Sequence, residues 1–174
     1  MAERPTRVVL VGFMGSGKTS VGRVLARRLC YRFEDMDRRI EERTGRAVAD
    51  IFREEGEEAF REMEREEAQA LASLPGRVVA TGGGAFTRPA TRALLQEGAL
   101  TVWLRCDLER ILARVPADGS RPLAGNRDIM RALLADREPS YGMADVTVEA
   151  TGTPEEVADR IVALVRGRRS PARR

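Results

Sequence analysis

Residues Gly12-Phe13-Met14-Gly15-Ser16-Gly17-Lys18-Thr19 fit the pattern G-x-x-x-x-G-K-[ST]. They lie between an apolar, β-rich run, Arg7-Val8-Val9-Leu10-Val11, and a segment in which Val21, Val24, Leu25 and Leu29 recur at helical spacing. Strand, glycine-rich loop and helix in that order make a phosphate cradle. The glycines let backbone wrap closely around an anion, and the amides of the loop and helix N-terminus supply positive dipole. Lys18 then reaches the β- and γ-phosphates of a nucleotide, and Thr19 offers a hydroxyl to Mg²⁺. The alternative is an ordinary glycine-rich turn, and the flanks weigh against it as much as the motif does.

The rest of the chain alternates strand and helix. Phe33 to Asp35, Arg77 to Ala80, Leu100 to Leu104 and Val146 to Val148 read as further strands. Helices are expected over Asp37 to Arg43, Val48 to Phe52, Glu57 to Leu74, Thr91 to Gln96, Asp107 to Val115, Arg127 to Asp136 and Pro154 to Arg166. Alternation of this kind predicts an α/β fold, a parallel sheet wrapped by helices in three layers. At 174 residues and 43% hydrophobic content, one core is affordable and two ordinary domains are not. A single domain over 1–174 is therefore expected.

The absence of histidine removes Ser-His-Asp hydrolysis, imidazole acid/base chemistry and most catalytic zinc sites. Cys30 and Cys106 lack the spacing of a redox or zinc motif and read as reduced core thiols. No apolar stretch is long enough to span a bilayer and no secretory signal opens the chain, so a cytoplasmic protein is expected. Much of the net charge of +3 sits in the basic tail, about 167–174, which reads as a frayed, disordered terminus. Contact of that tail with nucleic acid or an acidic membrane is the other reading.

Several residues are candidates for chemistry beyond the loop. Asp35 and Asp37, spaced i, i+2 at the end of a presumed strand, would point the same way at the sheet's carboxyl edge, where ligands of open α/β sheets collect. Helix capping explains the same pair without any ligand. Gly82-Gly83-Gly84 follows a strand and fits a place where backbone approaches something closely, or an unusual turn. On spacing and composition alone, Arg61 and Arg137 read as solvated ion pairs in a chain full of arginines. The loop of about 114–126, with Arg114 and Arg121 among Pro and Gly, suits a lid over phosphates or a plain surface loop.

Taken together, Gly12 to Lys18, Phe33-x-Asp35-x-Asp37-x-x-Ile40-Glu41, Thr44-Gly45-Arg46, Ile51-Phe52, Gly56-Glu57, Phe60-Arg61, Gly82-Gly83-Gly84, Val102-Trp103-Leu104, Arg121-Pro122-Leu123 and Arg137-x-Pro139-x-Tyr141-x-x-x-Ala144-Asp145 resemble the shikimate kinase family. The match runs in order from about Val8 to Val148. The resemblance implies a five-stranded parallel sheet with a substrate-binding region at about 35–62 and a lid at about 114–126. It implies transfer of the γ-phosphate of ATP to the 3-hydroxyl of shikimate, with one Mg²⁺ ion, in aromatic amino-acid biosynthesis. A monomer that binds neither nucleic acid nor membrane is implied as well.

By the same resemblance, Gly15, Ser16, Gly17, Lys18, Thr19 and Ser20 hold the phosphates, with Arg114 and Pro154 beside adenine. Thr19 meets the metal directly and Asp35 meets its water shell. Asp37 holds the acceptor hydroxyl, Arg61 and Arg137 the substrate carboxylate, and Gly82, Gly83 and Gly84 approach substrate and γ-phosphate. Arg121 closes over the phosphates, and Lys18, Asp37 and Arg121 carry catalysis. The chain departs from the family pattern in three places. Thr151-Gly152-Thr153-Pro154 lacks the basic residues often found there, Thr19-Ser20 inverts the usual Ser-Thr, and Ser140 replaces an apolar residue. A gluconate kinase is the rival within the class; a nucleotide switch or nucleic-acid ATPase is the rival outside it. Asn126-Arg127-Asp128 is not the Asn-Lys-x-Asp that reads guanine.

Overall fold

A computed structural model describes residues 5–114 and 126–167. Strand β1 (Arg7–Val11) is buried at every position, as a continuous apolar run must be when helices cover both faces of a parallel sheet. Strands β2 (Arg32–Asp35), β3 (Arg77–Ala80), β4 (Ala99–Arg105) and β5 (Val146–Glu149) complete a five-stranded sheet in the order β2-β3-β1-β4-β5. All pairs are parallel, and Leu10 stands between Ala80 on one side and Val102 on the other. From β1 the chain runs out to the edge strand β2, returns through β3, then crosses to β4. The connections after β1 and β3 therefore diverge on either side of the central strand, which opens a crevice at the carboxyl edge beyond β1.

Helices α1 (Lys18–Leu29) and α8 (Pro154–Gly167) pack together, as do α4 (Glu57–Ala72) and α5 (Pro89–Gln96), and helices cover both faces of the sheet. The core joins Val9, Leu10, Val79 and Val102 to Val21, Leu25 and Ile161. Helices α2 (Met36–Thr44) and α3 (Val48–Glu55) close a second, smaller cluster of Ile40, Ile51 and Phe60 with α4. Two more helices, α6 (Leu108–Arg114) and α7 (Arg127–Tyr141), flank residues outside the described set. Asn126 caps α7, its side chain accepting from the amides of Asp128 and Ile129 at 3.1 Å each, which satisfies two otherwise orphaned donors. No helix among the described residues is long and apolar enough to cross a membrane.

Of the two cysteines expected in the core, Cys106 is buried while Cys30, at the end of α1, is exposed. Two further expectations change. Helix α7 continues through Pro139 to Tyr141 instead of stopping at Asp136. Pro139 removes one donor late in the helix, while Tyr141, fully buried, donates its hydroxyl to the Gly83 carbonyl at 2.5 Å and anchors the end. The second change concerns Asp35 and Asp37. The strand ends at Asp35, which becomes the N-cap of α2, and Asp37 lies in that helix's first turn. Strand alternation does not relate the two carboxylates, and they face different partners. The lid segment and the basic tail lie outside the described residues, apart from the flanking Arg114, Asn126 and Gly167.

Candidate active site

The phosphate loop is built by backbone conformation. Gly12, Gly15 and Gly17 have φ of 145°, 76° and 96°, the region that glycine enters without steric cost. Gly12 also needs its missing side chain for space, because a Cβ there would stand 2.8 Å from the Leu104 carbonyl oxygen. Lys18, mostly buried, folds back over the loop and donates to the carbonyls of Gly12 and Phe13 at 2.7 and 2.9 Å. Helix α1 begins at Gly17 with no side-chain cap and no acidic residue in its first turn. Its N-terminal dipole is thus left for an incoming anion. The Ser16 hydroxyl is buried within the loop without a hydrogen-bond partner among the described residues.

On the β2 side, Thr19 donates its hydroxyl to Asp35 Oδ2 at 2.9 Å, and Asp35 Oδ1 accepts from the Arg38 amide. Asp35 thus caps α2 with one oxygen while its other oxygen meets the Thr19 hydroxyl. Ser20 follows Thr19 on the exposed side of α1. From the far side, Arg114 reaches the Gly15 carbonyl at 3.5 Å and passes over Gly17. Pro154 opens α8 beyond β5. The turn before it is a reciprocal cap, with the Thr153 amide donating to Glu156 Oε2 at 2.8 Å and the Glu156 amide to Thr153 Oγ1 at 3.2 Å. Arg121 lies outside the described residues.

The triple glycine is where the remaining candidates meet. A Cβ on Gly82 would collide with Glu64 Oε1 and stand 2.8 Å from Asp37 Oδ1. One on Gly83 would stand 3.2 Å from an Arg137 amino group, and one on Gly84 would strike the Arg61 guanidinium. Four charged side chains from α2, α4 and α7 therefore press against three residues without side chains. Close approach, and not an odd turn, explains Gly82-Gly83-Gly84.

The two arginines differ. Arg61 is no solvated ion pair: only 8% exposed, it donates to Glu57 Oε1 at 2.8 Å and to Glu64 Oε2 at 2.6 Å, with the Phe52 and Phe60 rings beneath it. Burial works against its charge, but Glu64 and Glu57 overcome that and hold its pKa above the ordinary value. Arg137 is half-buried over the Phe13 ring, and among the described residues it has no carboxylate within ion-pair reach.

The pocket also contains groups whose roles the sequence did not disclose. Glu64 is 1% exposed, and its Oε1 has no hydrogen-bond partner among the described residues. Burial pushes its carboxyl up to about 7, helped by nearby Asp37 and opposed by Arg61. Glu57 moves the other way, lowered by its hydrogen bond from Arg61. Burial raises Tyr141 to about 12, so its hydroxyl stays a donor to Gly83. The signal for the two glutamates was their spacing around Arg61, four residues before and three after, which brings all three onto one helical face.

A family model described as shikimate kinase matches residues 14–166. The chain belongs to the shikimate kinase family. Shikimate kinase from Geobacter sulfurreducens is 46% identical over 91% of this chain and 90% of its own length. That from Moorella thermoacetica is 47% identical over 85% of this chain and 87% of its own. A solved structure of shikimate kinase from Acinetobacter baumannii in complex with shikimate superposes with a TM-score of 0.90 at 37% identity, covering 95% of this chain and 96% of that one.

Proposed function

We propose that the protein transfers the γ-phosphate of ATP to the 3-hydroxyl of shikimate, giving shikimate 3-phosphate and ADP in aromatic amino-acid biosynthesis. The observation that carries this reading is the convergence of Asp37, Arg61 and Arg137 on Gly82-Gly83-Gly84 at the same sheet edge as the phosphate loop. A carboxylate beside two cations suits an acceptor that bears both a hydroxyl to activate and a carboxylate to bind.

In this scheme the loop amides of Gly15, Ser16 and Gly17, the Lys18 ammonium and the hydroxyls of Thr19 and Ser20 hold the triphosphate, with the Ser16 hydroxyl free to turn toward it. Arg114 lies beside the nucleotide, consistent with its reach to Gly15, and Pro154 beside adenine. Asp37 orients the acceptor hydroxyl and accepts its proton late, since phosphoryl transfer through a loose transition state depends mainly on positioning and charge neutralisation. Arg61 and Arg137 bind the acceptor carboxylate, and the Gly83 backbone lies between acceptor and phosphate. Arg121 is assigned from the family pattern to close over the phosphates.

One Mg²⁺ ion fits the oxygen donors of Thr19 and Asp35. Among the described residues no cluster of three or more Cys, Asp or Glu side chains could hold a metal by itself. Mg²⁺ in such sites takes one or two protein oxygens and completes its shell with phosphates and water. Bound there, it would neutralise phosphate charge as the γ-phosphoryl group moves. The chain is proposed to work as one cytoplasmic, monomeric kinase domain, with an acceptor-binding region at 35–62, a lid role for 114–126 and neither nucleic acid nor membrane as a partner.

The test is a coupled assay of ADP release with Mg²⁺, ATP and either shikimate, gluconate or no acceptor. Turnover is expected with shikimate alone. Turnover with gluconate, or equal turnover without acceptor, would remove the assignment.

A further inference from the structure

Glu64 is a carboxyl group with one oxygen satisfied and one not. Oε2 accepts from Arg61 at 2.6 Å, while Oε1 has no donor among the described residues and crowds the same point over Gly82 that Asp37 Oδ1 approaches at 2.8 Å. A buried acceptor facing another carboxylate is relieved by becoming a donor, and that requires a proton on Oε1. The charged groups around it are Arg61 and Glu57 from its own helix, Asp37 from α2, and Arg137 with Tyr141 from α7. Helix α3 contributes the uncharged Phe52 ring beneath Arg61, and Arg88, ahead of α5, is paired with Glu58. Arg61 is thus shared between the internal carboxylates Glu57 and Glu64 and whatever anion enters.

We infer that Glu64 takes up a proton when the carboxylated acceptor binds, so that its protonation sets how much of the Arg61 charge the acceptor receives. The inference rests on the acceptor reading proposed above. A second carboxylate entering beside Arg61 disfavours the charged form of Glu64 and competes for the guanidinium that stabilises it. The proton comes from solvent and stays on Oε1; no bond of the acceptor changes. By linkage, whatever binding does to the proton, the proton does to binding, so acceptor affinity should weaken as pH rises through neutrality. The carboxyl's position near 7 puts this transition in an accessible range. A chain with no histidine leaves little else to titrate there.

The experiment is calorimetry of shikimate binding without nucleotide, from pH 6 to 8.5, in buffers that differ in ionisation enthalpy. For the wild type the apparent enthalpy should follow the buffer's, with an uptake of roughly half a proton near neutrality. The Kd should rise about tenfold across the range, the factor for each pKa unit by which binding raises Glu64. Glu64→Gln keeps the acceptor oxygen for Arg61 and cannot titrate; its Kd should stay flat with no proton uptake. A merely structural role would shift affinity equally at every pH. Wild-type binding with a flat Kd and no uptake, or a Glu64→Gln protein that keeps the wild-type slope, overturns the inference and leaves the function standing. Should the variant not fold, the wild-type uptake alone decides. Absence of shikimate binding at every pH would overturn the proposed function together with this inference.

Discussion

The phosphate loop occupies one continuous stretch, Gly12 to Thr19, and does most of its work with backbone: three glycines at positive φ, a helix N-terminus and one lysine folded over two carbonyls. The proposed acceptor pocket at the same sheet edge is assembled from four separated segments, contributing Asp37, Arg61 with Glu64, Gly82 to Gly84, and Arg137 with Tyr141. It works almost entirely through side chains, several of them charged and half or fully buried. A backbone cradle is fixed by local sequence and binds any triphosphate. A side-chain pocket requires long-range packing, and its charges must be balanced against one another before a ligand arrives.

The comparison can be broken most directly at Lys18, the one side-chain cation inside the backbone cradle. Lys18→Met keeps an apolar stem of similar length, so the fold should persist while turnover falls by about a thousandfold or more, as for loss of a preorganised transition-state contact. Circular dichroism and steady-state kinetics measured together check this, and near-normal turnover in a folded variant would mean that the cradle works by backbone alone. Asp37→Asn is the counterpart in the acceptor pocket. Loss of the charge that favours departure of the hydroxyl proton should lower turnover roughly a hundredfold or more, with ATP affinity largely kept. A collapse of ATP affinity instead would assign Asp37 to the nucleotide side and exchange its role with that of Asp35.

Arg61 and Arg137 sharpen the contrast within the pocket. Each alanine variant should weaken shikimate binding by about 1.5–3 kcal/mol, the range for hydrogen bonds to charged groups, with ATP binding little changed. Their stabilities should part company. Arg137 has no carboxylate within ion-pair reach among the described residues, so its removal should cost the fold little. Removal of Arg61 strips two carboxylates of their partner and empties the space over Phe52 and Phe60. Arg61→Ala should therefore lower the melting temperature as well as the affinity. An analogue of shikimate without the carboxylate should bind both variants about as well as it binds the wild type.

The same contrast explains what was legible. The strands and the phosphate loop follow from apolar runs and a motif eight residues long, and they appear where the sequence places them; the order of the strands in the sheet came only with the structure. Asp35, Asp37, Arg61 and Arg137 stood out by their place in a family pattern. Spacing alone assigned the first two to the end of one strand, which in fact stops at Asp35, two residues before Asp37. Glu64 and Glu57 looked like any i, i+3 and i, i+4 pairing on a charged helix, since local spacing does not disclose which face of α4 is buried against a glycine loop. The end of α7 was missed because Pro139 is a local stop signal, and Tyr141 meeting Gly83 is a contact 58 residues away in sequence.

The smallest expected effect concerns stability alone. The folded state raises the Glu64 carboxyl from 4.5 to about 7, chiefly by burial. A raised folded pKa means stability that is fully present below about 4.5 and is lost as pH rises through about 7. Glu57 has the opposite sign: its lowered carboxyl contributes stability above its ordinary range and loses it only as pH falls below that. Between pH 5 and 7.5 the slope should therefore belong to Glu64. Glu64→Gln cannot titrate, so the wild type should lose ground to it across that window by about 1–2 kcal/mol, a few degrees of melting temperature, and then level off. Thermal melts of both proteins at half-unit pH steps give the difference directly. A constant difference would mean that Glu64 keeps its charge throughout, balanced by Arg61 alone, and the pocket would then be as rigidly set as the phosphate loop beside it.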